Sequence, residues 1–518
     1  MQLIARFFIC SLLFFLLLCN LGQAQWIPIA TQSSDGMLRS AQLLGRVAPS
    51  ASFTIRPIAP EGAFFVLDST LALQSWTKGG FQATLLPAIV TIKYNSKRPY
   101  GWNDGPMRMV AGFQQLWSAG VHAKWGPLEV QLQPEWVQAA QPNYKTTPGF
   151  GAENNGHFQK LSLGQSAIQI NLGPVAVGAA TRNLWWGPGQ FSSLMMSNHA
   201  PGFQHLFFQS NRPIKTPIGS FEWQLIGGLL HEDSSRAMEN TFLRPNAIPN
   251  KNRYVSAVAV TFQPKWLKGF YLGATRAEHA YLDNINQASG SFFTKYLQVL
   301  TPSSPVDNAQ GVGIASDGLL SIFLRWVMPK ENAEVYIEYG YNDFKQNLRD
   351  LAANANHSSA YILGFKKIFE RGQHIWELNG EMTQMAQTTS YSLRDAGNWY
   401  RHGQIVSGFT HQNQLLGAGS GFGNNVQTLQ LLQRTGFDYW GVKLQRIQQD
   451  PKGLQGSFEN LGMRPFSWTD WSVGVMGQKR WNRFFAKAEL QGVQGVNYGW
   501  EKGNLFNLFF QCQLGYLW

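Results

Sequence analysis

The residues best suited to holding a ligand fall in one stretch, Arg182-Asn183-Leu184-Trp185-Trp186-Gly187-Pro188-Gly189, continued by Ser197-Asn198-His199 and followed by Arg212. Indole rings offer flat apolar faces to the C–H face of a pyranose, while Arg, Asn, Ser and His supply hydrogen bonds to hydroxyls or acidic groups. Gly187, Pro188 and Gly189 set a tight turn that would present Trp185 and Trp186 side by side. The candidate contacts for a carbohydrate, anionic where the two arginines reach it, are therefore Arg182, Asn183, Trp185, Trp186, Ser197, Asn198, His199 and Arg212. A second use of the same indoles stays open, since a membrane barrel places Trp in a belt at each lipid interface.

Constellations that could do catalysis are weaker, and no catalytic or metal residues are assigned. His231-Glu232-Asp233 offers three polar groups, but neighbours on an extended chain point to opposite sides, and Ser234-Ser235 beside them marks a solvated loop. Glu377 and Glu381 share a face, yet four residues of strand separate them by roughly 13 Å, too far for a glycosidase pair unless another strand supplies a partner. Gly417-Ala418-Gly419-Ser420-Gly421 is a broken Gly-x-Ser-x-Gly, and no helical pattern follows it to form a nucleophile elbow. No cofactor is expected.

The elements that must carry these residues read as strands. Counting back by twos from Trp518 gives Tyr516, Leu514, Cys512, Phe510, Leu508 and Phe506, an apolar face, against a mixed one with Asn507, Gln511 and Gln513. A soluble core would use the mixed face poorly; a wall between lipid and a partly wet lumen uses both. Leu128, Val130, Leu132 and Trp136 likewise alternate with Glu129, Gln131, Gln133 and Glu135, and similar alternation recurs at Ala333 to Tyr341 and His374 to Met382. In a barrel the carboxylate side must face the lumen, because charge on lipid costs several kcal/mol at the midplane. Further strands are expected along the chain, one of them at Gln404 to His411, with the long polar stretches between them as outer loops.

Composition agrees. Charged residues make up 14% and aromatic residues 14% of the chain, against about 25% charged in soluble domains. Beyond the N-terminus no apolar run is long enough for a transmembrane helix. Met1 to Ala24, with Arg6, an apolar run and Gly22-Gln23-Ala24, has the form of a cleaved signal peptide. Cys10 and Cys19 lie in that leader, which leaves Cys512 alone and forbids an intramolecular disulfide or a thiolate zinc site. The expected organisation is a signal peptide at 1–24, a short periplasmic segment or plug at 25–60, where Met37, Ala41 and Leu44 space like a short helix, and an outer-membrane β-barrel at 61–518.

Arg182 to Phe203, with Trp-Trp-Gly-Pro-Gly, then Ser193-Leu194-Met195-Met196-Ser197-Asn198-His199-Ala200 and Pro201-Gly202, resembles the signature of the Wzi family of capsule-assembly proteins. Gly408-Phe409-Thr410-His411 with Leu416-Gly417-Ala418-Gly419, and Glu334-Val335-Tyr336-Ile337-Glu338-Tyr339, are similar to later parts of the family pattern. The likeness runs from about Phe53 to the C-terminus. It implies an all-β fold, a transmembrane antiparallel barrel of about 18 strands in the bacterial outer membrane, acting as a lectin that holds capsular or extracellular polysaccharide at the surface. Enterobacterial members carry an N-terminal helical bundle for which Gln25 to Pro60 has little room.

Lys and Arg number 42, one of them Arg6, so the chain beyond the leader carries 41 basic against 30 acidic residues. That surplus favours an anionic polysaccharide and the lipopolysaccharide and lipid around any outer-membrane barrel; nucleic acid is not expected in this compartment. The other reading that fits is a porin-like or anion-selective channel, with the basic charge lining a pore. The aromatic C-terminal strand is the expected handle for the barrel-insertion machinery. Deleting Tyr516 to Trp518 should impair insertion while export across the inner membrane continues; normal surface levels of the truncated chain, measured by fractionation and protease shaving, would remove this role.

Overall fold

The computed structural model describes residues 32–46, 51–58, 74–139, 158–232, 251–301, 314–342, 358–387, 399–403, 405, 407–449 and 466–518. The expected leader at 1–24 lies outside these residues, as do 59–73 at the expected start of the barrel.

Eighteen antiparallel strands close into one barrel. In chain order they are β1 (Phe81–Asn95), β2 (Gly112–Trp125), β3 (Leu128–Leu132 continued by Glu135–Ala139), β4 (Phe158–Ser162 continued by Ala167–Leu172), β5 (Val175–Ala180) and β6 (His205–Ser210). Next come β7 (Gly219–Leu230), β8 (Arg253–Pro264), β9 (Phe270–Tyr281), β10 (Ser316–Met328), β11 (Ala333–Asn342) and β12 (Ser359–Arg371). The last six are β13 (His374–Gln384), β14 (Asn425–Thr435), β15 (Asp438–Gln448), β16 (Thr469–Trp481), β17 (Phe484–Val496) and β18 (Asn504–Tyr516). β18 returns to β1, with Phe509 opposite Asn95 and Tyr516 opposite Ala88, so no edge is left unpaired there. The Trp518 indole N–H then donates to the Leu86 carbonyl at 2.9 Å.

The period of two decides which side chains meet lipid. On β10, Leu320, Ile322 and Trp326 are exposed outward while Asp317, Ser321, Phe323 and Arg325 are buried inward. On β18, Phe506, Leu508 and Leu514 face out, and Asn507 and Phe509 face in. Glu129 and Glu135 on β3, Glu334 and Glu338 on β11, and Glu377 and Glu381 on β13 all lie on the inner side and are buried, as the alternation expects. No helix among the described residues is long and apolar enough to cross a membrane; the crossing is made by strands, and the protein sits in the outer membrane. Short turns such as 126–127, 173–174, 211–218 and 436–437 gather at the end where β1 starts and β18 stops, and the long connections gather at the other. Barrels of this kind keep short turns on the periplasmic side and long loops outside, which fixes the orientation.

Buried carboxylates inside a barrel need partners, and the N-terminal segment provides them. Helix α1 (Gln32–Leu43) ends where Gly45 takes a left-handed backbone and the amides of Gly45 and Arg46 bond the carbonyls of Gln42 and Ala41, closing the last turn. From α1, Arg39 pairs with Glu334 at 2.7 Å, and Arg325 on β10 meets the same carboxylate at 2.5 Å while donating to the Gln42 side chain and the Ser52 carbonyl. Lys366 on β12 bridges the Ser40 hydroxyl at 2.6 Å and Glu377 at 2.9 Å. Leu38 packs on Phe53, and the hydroxyls of Thr54 and Thr261 share a 2.7 Å hydrogen bond. The described part of the N-terminal segment thus lies inside the lumen as a plug and not beneath the barrel.

Glu334 is the joint of this plug, since it neutralises Arg39 and Arg325 together. Removing one member of a buried ionic group leaves the others uncompensated and typically costs about 3–5 kcal/mol. Glu334→Gln should therefore lower the thermal or denaturant midpoint of the detergent-solubilised barrel markedly and open α1 to proteolysis, whereas Glu370→Gln, which breaks an exposed pair with Arg46, should change neither. Equal behaviour of the two variants would contradict the plug assignment.

Candidate functional site

The 24-residue connection from β5 to β6, residues 181–204, does not project from the barrel. It folds inward, and its residues join those of a second inward excursion, the described residues between 399 and 424, in one buried apolar cluster. That cluster contains Leu184, Trp186, Leu194, Met195, Met196, Trp399, Tyr400, Phe409, Leu416 and Phe422, packed against inward side chains of the wall such as Phe207, Ile226 and Ile362. A lumen filled in this way has a core of its own, inside a membrane-spanning sheet.

Backbone pairing starts the block. Ile55 and Arg56 form a two-residue antiparallel pair with Trp186 and Trp185, and the Gly187 amide donates to the Thr54 carbonyl at 2.8 Å. The Arg56 guanidinium lies 4.6 Å from the Trp185 ring centroid and donates to the Gly189 carbonyl at 2.8 Å, with Asp35 at 3.7 Å. Burial pulls the Arg56 guanidinium down to about 9, against the opposing pull of Asp35, so it remains a cation at neutral pH. The Trp186 indole donates to Gln224 at 2.7 Å.

The barrel's inward carboxylates then hold the turn after the tryptophans. Glu381 accepts from the amides of Gln190 at 2.6 Å and Phe191 at 3.1 Å and from the Tyr336 hydroxyl at 2.8 Å. Glu338 accepts from the Leu194 amide and the Ser321 hydroxyl. A carboxylate that takes several N–H and O–H donors is a strong anchor for irregular backbone. Gly189 is required there, because a Cβ would come within 1.9 Å of the Ser192 carbonyl oxygen.

The second excursion is tied on by residues already singled out. The Ser197 amide donates to Leu416 O at 2.7 Å and its hydroxyl to Gly417 O at 2.5 Å. The Tyr400 hydroxyl donates to Leu194 O and accepts from the Ala418 amide, both at 2.7 Å. His199 accepts at its carbonyl from Gln414, and its ring lies so close to Gly419 that a Cβ there would sit 2.5 Å from it. Arg253 on β8 reaches the carbonyls of Gly408 and Thr410, and the His231 amide donates to the His411 ring. Of the stretch 404–411, expected as a strand, the described residues show a strand only at Thr410–His411, paired with Gln414–Leu415 and part of this plug.

Each expected carbohydrate contact can now be placed. Trp185 is 1% exposed and Trp186 0% exposed, so neither indole offers a free face for stacking as it stands; both serve as core. Arg182 is buried against Phe207, with Gln209 at 3.5 Å, and burial lowers it to about 10 while Glu129 partly offsets that. Asn183 is locked by Gln165 and by the Ala200 carbonyl, and Asn198 by the Asn103 carbonyl. Ser197 and His199 are buried in the joint just described. Seven of the eight residues are therefore brought together, but inward. Arg212 is not with them: it is exposed on the turn 211–218 at the periplasmic end, because β6 crosses the wall between it and the block.

The other clusters are also engaged. Glu232 meets Arg253 at 3.0 Å, and Asp233 lies outside the described residues. Glu377 pairs with Lys366 and Arg434 on the wall, and Glu381 is held by wall and plug. Among the described residues no group of three or more His, Cys, Asp or Glu is placed to hold a metal. A polar cavity of about 70 Å³ remains between the Asn103–Pro106 segment and the wall residues Thr91, Lys487, Glu489, Gln511 and Gln513.

The sequence model for the capsule assembly protein Wzi matches residues 106–440, most of the barrel and both inward excursions. The chain belongs to the Wzi family. No curated protein matches it by sequence. Among solved structures it is similar to one reported as Wzi, an outer-membrane protein involved in group 1 capsule assembly in Escherichia coli and a carbohydrate-binding β-barrel, with TM-score 0.63 and 13% identity over 96% of this chain and 100% of that one. It is more distantly similar to Pseudomonas aeruginosa OprD, at TM-score 0.42 and 8% identity over 86% of this chain and 97% of that one. The same holds for P. aeruginosa OccK7, at 0.40 and 8% over 84% and 100%. In this Wzi-family chain the Trp-Trp-Gly-Pro-Gly signature is the place where the N-terminal plug, the wall carboxylates and the second excursion meet.

The residues that sequence reading missed are Arg39, Arg56, Gln224 and Tyr400. The usable signal was the inward carboxylate spacing at 334, 338, 377 and 381, which demands buried donors from some other part of the chain. If Trp186 is core, Trp186→Ala should cost about 3–5 kcal/mol through the cavity it leaves, and Trp186→Phe about 1 kcal/mol, mainly through the lost bond to Gln224. Heat-modifiability on gels and near-ultraviolet dichroism of the folded variants report this; an alanine variant as stable as the parent would contradict the packing role.

Proposed function

We propose that this Wzi-family barrel binds capsular or extracellular polysaccharide at its outer mouth and holds it at the cell surface. The observation that carries the reading is the filled lumen: the two excursions pack the extracellular half of the barrel and α1 packs its periplasmic half, which suits a platform better than a pore. The part-exposed outer mouth carries Lys160 on β4 and Arg401, His402 and Gln412 on the second excursion. Lys160 donates to the Gln412 side chain at 2.6 Å, which joins the β4 wall to the second excursion at the mouth. Lys160 and Arg401, with the net positive charge of the chain, favour an acidic polymer. The buried residues Arg182, Asn183, Trp185, Trp186, Ser197, Asn198 and His199 support the platform beneath the polymer, and the basic turn with Arg212 has no part in it.

Each charge-assisted hydrogen bond is worth on the order of 1–3 kcal/mol, and a polymer repeats it, so weak single contacts add through multivalency. Lys160→Ala with Arg401→Ala should therefore leave barrel insertion intact while shifting acidic polysaccharide from the cell-bound to the released fraction several-fold, and adding salt should do the same to the parent. Arg212→Ala should retain polymer normally. Full retention by the double variant at normal surface abundance would sink the mouth as the site.

A further inference from the structure

One extracellular segment turns the other way from the plug. Helix α2 (Leu282–Gln287), helix α3 (Phe292–Tyr296) and the single turn Gln298–Leu300 fold back over the outside of the wall, against β8 and β9. They cover an anomaly there. Register pairs Arg276 on β9 with Val258 on one side and Leu320 on the other, and pairs Glu278 with Ser256 and Gly318, so this Arg and Glu stand on the outward face among residues that meet lipid. Bare charge on that face is unfavourable.

The strap neutralises it. Arg276 donates to the carbonyls of Val299 at 3.0 Å and Thr301 at 2.9 Å and pairs with Glu278 at 2.8 Å, while Ser316 donates to Glu278. Ser256 and Glu278 are buried beneath it. The outward Tyr254 donates to the Tyr296 carbonyl at 3.0 Å, with the two rings edge to face at 5.5 Å. Beyond Tyr296 the ring of Phe292 follows at 5.3 Å and that of Phe293 at 6.1 Å from Phe292. Phe292 and Phe293 are 65% and 64% exposed, and Leu300 is exposed as well. A row of rings therefore runs outward from the lipid-facing wall and ends in large apolar side chains that nothing in the chain covers among the described residues.

We propose that the strap 282–301 is a membrane-interface element, with Phe292, Phe293 and Leu300 seated in the acyl chains of the outer leaflet just below the headgroups. The occupant is the lipid surface itself, because the patch continues the apolar wall of β8 to β10 without a break. Aromatic side chains at this depth anchor a barrel against tilt and sliding, and a strap on one flank would fix which side of the mouth is pressed to the membrane.

The test is a depth measurement. In a Cys512→Ser background, nitroxide labels at Phe293→Cys, at Ile322→Cys on the lipid wall and at Gln287→Cys on α2 are compared in phosphatidylcholine vesicles by power saturation with oxygen and with a water-soluble nickel chelate. The Phe293 label should fall nearer Ile322, at mid-membrane, than Gln287, with oxygen access exceeding nickel access. Nickel access equal to that at Gln287 would overturn the proposal, and so would protection of the Phe293 label by added acidic polysaccharide, which would make the strap a polymer platform. Surface substitution at Phe293 leaves the barrel core untouched, so loss of folding does not confound the readings.

Discussion

An 18-stranded barrel encloses more space than its own inward side chains can fill, and that constraint governs the rest of this structure. A porin leaves the space to water. Here the wall instead turns acidic and amide groups inward, and these are buried where donors from neighbouring strands or from the plug reach them. Glu334 takes Arg39 and Arg325, Glu377 takes Lys366 and Arg434, and Glu381 takes the amides that follow the Trp-Trp-Gly-Pro-Gly turn. Wall and plug are thus mutually dependent: without the plug Glu334 would lose Arg39 and Glu381 its backbone donors at low dielectric, and without these carboxylates the plug would lose anchors.

That dependence explains why the most specific sequence pattern lies in the lumen. Gly189 and Gly419 stand where a Cβ would strike a carbonyl oxygen or the His199 ring, Trp186 fills a site at zero exposure, and Ser197 and Tyr400 stitch two excursions that are about 200 residues apart in the chain. Such demands constrain residue type more tightly than contact with a flexible polymer would. The pattern marks how the interior of the barrel is built.

The wall was legible in the sequence because a period of two survives any loop: the face from Phe506 to Trp518 and the carboxylate sides at 334–338 and 377–381 lie where alternation puts them. The plug was not. Residues 32–43 show only a short helical spacing, and nothing local says that Arg39 meets a glutamate 295 positions away. The burial of the tryptophans was not legible for a different reason, since a ring that can stack on a sugar can equally fill a core, and composition does not distinguish the two. The separate position of Arg212 was not legible because proximity along the chain is not proximity in space: the six residues of β6, about 20 Å of strand, separate it from Arg182. The outer strap was hidden by the assumption that every long connection caps the mouth, although Arg276 and Glu278 on an otherwise apolar face were its signal.

The central claim is that the lumen is closed by packing and serves as a support. Single-channel recording of the purified protein in planar bilayers tests this most directly. The packed plug should give a silent membrane, or at most rare small steps, under conditions in which a comparable porin conducts continuously. Stable stepwise conductance of porin size from the unmodified chain would contradict it, because ions cannot pass in volume through a lumen that holds a buried core.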